Sequence, residues 1–398
     1  MSTTTSNRPT LPLAGEGRGE SDLTSTRQAS HPTRVLLSPL SRQPLHPDTP
    51  HTIAAPGERW PVIEGIPFLR TNRDALVADA IHLLDEGHEA EATVLLLGDQ
   101  DDWARTPPPS RAERESLLRD VDRVTFREAM DRLAFGPVGT YFAHRWSDPT
   151  FLSGLALAEA HWIDPASVFE LACGAGHYLR EFVRFCPDVA GADVVFAKLW
   201  LARRFVAPTA QLLCFDAAQP WPLPDRAADM LFCHDAFYFL PEKPHVAAEM
   251  RRVATGPILV GHAHNGLVDN LSSGAPLSPS GYAALFDSPA LFDDTELTDA
   301  LVENRAPLAV AADGLARAAA ISLAANAPAA RPVTAGLAMP PQGAALRRNP
   351  LYVDGMIQFP SDRYEKEYGK LASYPMRADA KVDDPVRRRV LLDLPERW

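Results

Sequence analysis

Cysteine is scarce in this 398-residue chain, with four in all. Cys173, Cys186, Cys214 and Cys233 form no C-x-x-C pair, so neither a disulfide framework nor a four-cysteine zinc site is indicated. Each reads as a small buried apolar residue. Basic residues are also short: 39 Lys and Arg against 51 Asp and Glu leave a net charge of −12. That balance argues against nucleic acid and anionic membranes as partners, because phosphate binding needs a basic face. The clusters Arg203-Arg204, Arg251-Arg252 and Arg387-Arg388-Arg389 are expected as solvated helix faces. No apolar run reaches the length of a membrane span and no secretory signal is visible, so a cytoplasmic location is expected. A phosphate cradle of the G-x-x-x-x-G-K-[ST] type is missing as well.

What is present is organised around Val168-Phe-Glu-Leu-Ala-Cys-Gly-Ala-Gly-His-Tyr178. Val168-Phe169 reads as a buried strand that ends at an acid, Glu170, and breaks into the turn Gly174-Ala175-Gly176. Leu179, Phe182, Val183 and Cys186 then recur at helical spacing. A dinucleotide fingerprint needs a third glycine, and Leu179 holds that place, which disfavours a nicotinamide oxidoreductase. An acid and a glycine turn without basic residues suit a ligand with a cationic amino-acid end and no phosphate. Val189 to Val195 is a second strand, and its Asp193 stands about 20 residues past the glycines, where a ribose-binding carboxylate is expected. Gln211–Asp216, Ala228–His234 and Pro257–His262 read as three further strands. Strands alternating with helices predict an α/β fold, a doubly wound, mostly parallel sheet with its ligand crevice at the strand C-terminal ends.

These residues carry a resemblance. Glu170 to Gly176, the G-x-D of Gly191 to Asp193, the D-A-x-x-x-x-P-L-P of Asp216 to Pro224, and Ala228-Asp229-Met-Leu-Phe232 occur in the order and spacing of four family motifs. Phe151 to His264 thereby resembles the class I S-adenosylmethionine-dependent methyltransferases of the quinone-methyltransferase-like group, which are Rossmann-like. The resemblance implies S-adenosylmethionine as cofactor and S-adenosylhomocysteine as product. The implied cofactor set is Glu170, Ala172, Gly174, Gly176, Asp193, Val194, Asp216, Ala217 and His234. Within it the glycine turn packs on the methionine part, Asp193 accepts from the ribose hydroxyls and Asp216 from the adenine amino group. An ordinary loop carboxylate is the competing reading for each acid, and Asp229 could simply brace its strand.

The acceptor half is less specified. His234, Tyr238 and His262 lie where a base or substrate contact is wanted, and histidine suits a base near neutral pH. Structural hydrogen bonding is the close alternative. The H-x-H of His262 and His264 also suits a metal, but no further ligand can be picked out, and no metal site is assigned. The expected acceptor is a small molecule. A peptide or protein acceptor, or a non-catalytic scaffold with this fold, are the alternatives; oligomeric state is left open, with a homodimer compatible.

Outside the sheet domain (151–330), residues 1–34 are polar and Pro-rich and are expected to be disordered. Residues 35–70 are expected as a small β module. Trp60-Pro-Val-Ile-Glu-Gly-Ile-Pro67 resembles the Y-P-V-x-D-G-I-P of a zinc-ribbon-like domain that accompanies some methyltransferases, but Ser38 and Ser41 replace its cysteines, which implies a ribbon without zinc. Residues 71–150 are expected as a helical linker and lid. Asn72 is the expected first N-cap, one helix is predicted over 110–135, and Tyr141, His144 and Arg145 are lid candidates. Asp99-Gln-Asp-Asp-Trp103 reads as a solvated loop or, less favoured, a site. A lid is also expected over 267–301. The tail, 331–398, is expected to wrap the core or a partner, with Arg363 or Tyr364 reaching the crevice.

Overall fold

The computed structural model describes residues 34–102, 104, 106–270, 274–371, 374–379 and 381–398. The disorder expected of the first residues therefore falls outside the described residues up to position 33, as do Trp103 and part of the expected lid. The chain enters through a small antiparallel sheet of β1 (Leu36–Leu37), β2 (Pro44–Thr49), β3 (Thr52–Ala55), β4 (Glu58–Ile63) and β5 (Ile66–Pro67), paired in that order. Ser38 closes its first turn: the hydroxyl accepts from the Leu40 and Ser41 N–H groups at 3.0 Å and donates to Glu58. Immediately beyond β5, Phe68 bridges Cys214 in parallel and the Leu69 N–H donates to the Cys214 carbonyl at 2.7 Å. The small sheet thus covers an edge of the large one, where unpaired backbone groups would otherwise face water.

Helices follow: α1 (Asp74–Asp85), α2 (Glu89–Leu96), α3 (Arg111–Asp120), α4 (Phe126–Arg132), α5 (Pro137–His144) and α6 (Pro149–Ala160). The first cap is Arg73, not Asn72, and no side chain caps that end. The single helix expected over 110–135 is two, because Thr125 and Glu128 build a capping box that starts α4 anew. The acidic patch is a structural ion-pair cluster in which Asp99 receives Arg70 at 2.6 Å and Arg73 at 2.9 Å, and Arg73 also reaches Asp102.

The sheet domain contains β6 (Ser167–Leu171), α7 (His177–Phe182), β7 (Asp188–Asp193), α8 (Phe196–Leu201), β8 (Gln211–Cys214), β9 (Met230–His234), α9 (Lys243–Val253), β10 (Ile258–His264), α10 (Pro279–Ala283), β11 (Ala290–Asp293), α11 (Asp294–Glu303) and β12 (Ala320–Ala325). Its order is β11-β12-β10-β9-β6-β7-β8, parallel from β10 to β8, with β12 antiparallel to both neighbours. Helices cover both faces, so the parallel strands are apolar on both sides; Val168, Phe169, Leu231 and Phe232 are fully buried. The chain runs outward from β6 through β7 to β8, then returns to β9 on the other side of β6. That reversal opens a crevice at the strand C-terminal ends. Of residues 267–301, the part from 274 to 282 packs on Tyr238 and His264, with the Ala275 N–H donating to the Tyr238 carbonyl at 3.1 Å and the Tyr282 hydroxyl to the His264 carbonyl at 3.0 Å. The later part supplies the edge strand β11 and the helix α11, whose buried Leu297 and Leu301 belong to the core.

The tail adds β13 (Arg347–Arg348), β14 (Tyr352–Val353), β15 (Met356–Ile357), α12 (Asp362–Tyr368) and β16 (Leu391–Leu392), in two small antiparallel pairs. It packs on the core through side chains the sequence read otherwise. Arg389, expected on a solvated face, is 5% exposed and donates to the Trp146 carbonyl at 2.6 Å. Tyr364 and Tyr368 pack against His144 and Tyr141 of α5, behind the crevice, whereas Arg363 pairs with Glu367 at the surface.

Candidate active site

Three strand ends meet at the crevice, and each turns through a left-handed residue: Ala172 (φ 55°) after β6, Asp235 (φ 53°) after β9, and His262 (φ 47°) inside β10. Non-glycine residues avoid this region, and such strain concentrates where a site dictates the backbone. In β10 it coincides with a register shift between Val260 and Ala263. The bulge re-aims His262 at the sheet's functional end.

On the donor side lie the residues the sequence picked out. Gly174 (φ 55°) and Gly176 (φ 82°) form the turn into α7. Asp193, 5% exposed, ends β7; its Oδ2 accepts from the Gly174 N–H at 3.0 Å and its Oδ1 from the Val195 N–H at 2.9 Å. Lys198 Nζ stands 3.4 Å from the same Oδ1. Glu170 is buried at the end of β6, and its Oε2 has no hydrogen-bond partner. Burial pushes its carboxyl well above the usual range, against the pull of Arg145. Asp216 lies past the end of β8, where its Oδ1 accepts from the Ala218 N–H at 2.9 Å, with Ala217 buried beside it and Val194 following Asp193. Asp229 braces its strand: Oδ2 accepts from the Ala166 and Ser167 N–H groups. The cysteines are free and buried, and burial raises the Cys173 thiol well above its ordinary value, so it is an unreactive neutral group.

The acceptor side is a network. Asp235 accepts from Tyr141 at 2.5 Å and from Tyr238 at 3.0 Å, and Arg145 Nη1 stands 3.5 Å away. Arg145 also reaches Asp148 at 3.0 Å and His234 Nδ1 at 2.8 Å. His262 Nδ1 pairs with Asp294 at 2.8 Å, and Asp294 accepts from Ser153 and Ser322, each at 2.8 Å. The His264 ring stacks on Tyr238 at 4.1 Å. Burial and Arg145 hold His234 well below the ordinary histidine value. It is therefore a neutral hydrogen-bond partner here, with Nδ1 accepting from the guanidinium. Burial opposes charge on His262 too, but Asp294 and Asp235 outweigh it and push it up to about 9. His262 is consequently an imidazolium at neutral pH. Burial would raise Asp235, yet His262 and Arg145 hold it below the usual carboxylate range. Of the lid candidates, α5 and the 3₁₀ turn that follows it bring Tyr141 and Arg145 into the crevice. His144 turns to the Thr140 carbonyl and the Trp398 ring instead.

Sequence reasoning missed Asp148, Asp294, Phe142 and Lys198. The first two cap α6 and neighbour the cap of α11, and carried only a capping signal. Phe142 of α5 lies over the glycine turn, its ring 3.1 Å from where a Cβ on Gly174 would stand.

S-adenosylmethionine fits the donor side in kind. The orphaned Glu170 oxygen and the acids ending β7 and following β8 are groups suited to its ammonium, ribose and adenine, and the Phe142 ring lies over Gly174, where the methionine chain would pass. Lys198 stands beside Asp193.

Residues 169–256 match the family model described as a methyltransferase domain. The match supports S-adenosylmethionine as the cofactor and methyl transfer as the reaction type. No curated protein matches the chain. Among solved structures, the YcgJ protein of Bacillus subtilis is similar at 19% identity and a TM-score of 0.32, over 36% of this chain and 70% of that one. CalS10, an amino pentose methyltransferase from Micromonospora echinaspora whose structure has SAM bound, shares 26% identity at a TM-score of 0.26, over 32% of this chain and 56% of that one. A methyltransferase in complex with the Trm112 activator of Haloferax volcanii shares 17% identity at a TM-score of 0.35, over 53% of this chain and 99% of that one. Among the described residues no helix is long and apolar enough to cross a membrane.

Proposed function

We propose that this chain transfers the methyl group of S-adenosylmethionine to a small-molecule acceptor held between α5 and the ends of β9 and β10. One observation carries the reading. The glycine turn and Asp193, in the segment that matches the methyltransferase model, share a hydrogen bond at the same crevice end as a separate polar network. Donor and acceptor subsites are thereby adjacent across the β6–β9 switch point. In this reading the backbone of Gly174 and Gly176 and the Glu170 carboxyl hold the methionine end, Asp193 the ribose and Asp216 the adenine. S-adenosylmethionine supplies the electrophilic methyl group.

The acceptor contacts are Asp235, Tyr238 and His262, with Tyr141 and Arg145 closing over them. His234 acts by holding Arg145, not as the base. Asp235 is ionised but a weak base, so most acceleration comes from alignment and exclusion of water. A small acceptor is favoured over a peptide because this network is enclosed under α5. The N-terminal sheet, the natural docking surface for a protein, is committed to β8, three strands or about 14 Å from β9. We read that sheet as a metal-free ribbon in which Ser38 replaces a ligand by closing the turn itself.

Calorimetric titration of S-adenosylmethionine and S-adenosylhomocysteine into the purified chain tests the reading. Micromolar binding by the wild type, weakened by about 2 kcal/mol in Asp193→Ala, is expected from the loss of a charge-assisted pair. No heat with either ligand would leave the scaffold reading in place.

A further inference from the structure

We infer that Asp235, His262 and His264 form a binding site for one divalent transition-metal ion at the acceptor end of the crevice. Each offers a ligand atom, and the three atoms lie within 4.8 Å of one another. Two imidazoles and one carboxylate make a donor set that prefers zinc, cobalt, nickel or iron(II) to magnesium or calcium, which seek oxygen.

Four features of the structure point the same way. His262 is already oriented as a ligand, since its Nδ1 faces the Asp294 carboxylate at 2.8 Å and Nε2 is the nitrogen left for a metal, which would displace the Nε2 proton held in the metal-free site. A carboxylate behind a metal-binding histidine is the usual device for fixing ring orientation and raising basicity. Asp294 is in turn fixed by Ser153 and Ser322. His264 Nδ1 is buried without any hydrogen-bond partner, an arrangement that wastes a polar atom unless something binds it. The local backbone is also bent to bring the ligands together: Asp235 and His262 both take left-handed conformations, and β10 is bulged at His262. Lastly, charge is unbalanced there. Asp148, Asp235 and Asp294 converge with their side chains at most 9% exposed, against one permanent cation, Arg145. A dication offsets that excess.

Ligands about 2.1 Å from a tetrahedral ion stand about 3.4 Å apart, so the set contracts on binding. His262 is pinned by Asp294, so the movement falls to His264 and to Asp235, which would exchange part of its hydrogen bonding to Tyr141 and Tyr238 for the metal. Three protein ligands leave a coordination position open, the arrangement of catalytic sites. A hydroxyl or carboxylate on the acceptor is the ligand class it would take, and metal coordination would lower the pKa of such a hydroxyl.

The site shares Asp235 and His262 with the proposed acceptor contacts and its role toward an acceptor rests on that reading, but metal binding itself is tested without S-adenosylmethionine. The full-length chain is stripped with chelator and titrated with Co²⁺ while the visible d–d absorption is recorded, with Zn²⁺ as competitor and Mg²⁺ as control. One equivalent of Co²⁺ is expected to give a saturating band, displaced by Zn²⁺ and indifferent to Mg²⁺. His264→Ala should weaken binding at least tenfold and His264→Cys should restore it with an added sulfur-to-cobalt charge-transfer band. Position 264 is chosen because its side chain is only partly buried; thermal unfolding of each variant checks that the fold persists. A wild-type chain without the band, or with a band that His264→Ala and Asp235→Asn both leave unchanged, would overturn the assignment.

Discussion

The two halves of the crevice are built by different physics. On the donor side, β6, β7 and the glycine turn hold their acids through backbone N–H groups: Asp193 takes those of Gly174 and Val195, and Asp216 that of Ala218. On the acceptor side, side chains from α5, α6, β9, β10 and α11 hold one another through charge: Arg145 with Asp148, His262 with Asp294, and Asp235 between two tyrosines. The first arrangement is local and depends on conformation. The second is distributed and depends on pairing. Deleting a charge should therefore hurt the acceptor half more, and altering the backbone should hurt the donor half more.

The largest effect is expected at Asp294. Removing this carboxylate strands a buried imidazolium and two serine hydroxyls, and breaking a buried pair from one side costs about 3–5 kcal/mol. Asp294→Ala should lower stability by that order in denaturant titration, with Asp294→Asn recovering part of it through the serine contacts. A loss below about 1 kcal/mol for the alanine variant would mean that the acceptor half does not rest on this pair.

That contrast also explains what could be read from the sequence. The donor motifs are contiguous: Glu170, Gly174 and Gly176 fall within seven residues, Asp193 and Asp216 one strand each further on. A strand that ends in an acid leaves the same trace in every chain, so the sheet and its donor edge were legible. The acceptor network spans Tyr141 to Asp294. Nothing in the sequence around Asp148 or Asp294 distinguishes them from helix caps, a role that Asp148 also fills. His234 and His262 stand out in the sequence because each closes a predicted strand, although β10 itself runs on to His264. Their opposite protonation was hidden, since it depends on Arg145 beside one and Asp294 beside the other. Ser and Pro punctuation marks 267–301 as an insertion over the crevice, but the short run Ala290–Asp293 within it completes the sheet edge by long-range pairing that periodicity does not carry.

The pH dependence of stability should carry an alkaline limb that belongs to the acceptor half. His262, pushed up to about 9 in the fold from an ordinary 6.5, holds a proton that the unfolded chain releases. Its contribution is full below pH 6.5 and disappears as pH rises through about 9, by up to about 1.4 kcal/mol per pH unit. On the donor side, burial pushes His177 down to about 3, while its Nε2 sits 2.9 Å from the Phe142 carbonyl. There the unfolded chain takes up the proton first, so stability is present above pH 6.5 and is lost as pH falls toward about 3. Urea unfolding across pH 4–10 should show both limbs. Asp294→Asn should flatten the alkaline limb, and His177→Gln should remove part of the acid limb, to which the neutral His234 of the acceptor side also contributes. Should either variant leave its limb unchanged, that histidine is not its source.

The smallest effect is expected from a single methyl group at Gly176. This residue sits at φ 82° at the start of α7, and an added Cβ would stand 3.0 Å from the Ala202 Cβ and 3.4 Å from the Ala207 Cβ. The left-handed conformation alone costs an alanine about 1 kcal/mol or more. Both neighbours are backbone-anchored methyl groups with no rotamer to swing away, so relief requires the turn itself to shift. Gly176→Ala should thus destabilise the fold by about 1–2 kcal/mol. The displaced turn would also move the Gly174 N–H that Asp193 accepts, so binding of S-adenosylhomocysteine should fall while the Co²⁺ band, which depends on β9 and β10, stays. A variant that loses the band and the nucleoside together would show that the two halves move as one unit, and the division between a conformational half and a charged half would fail.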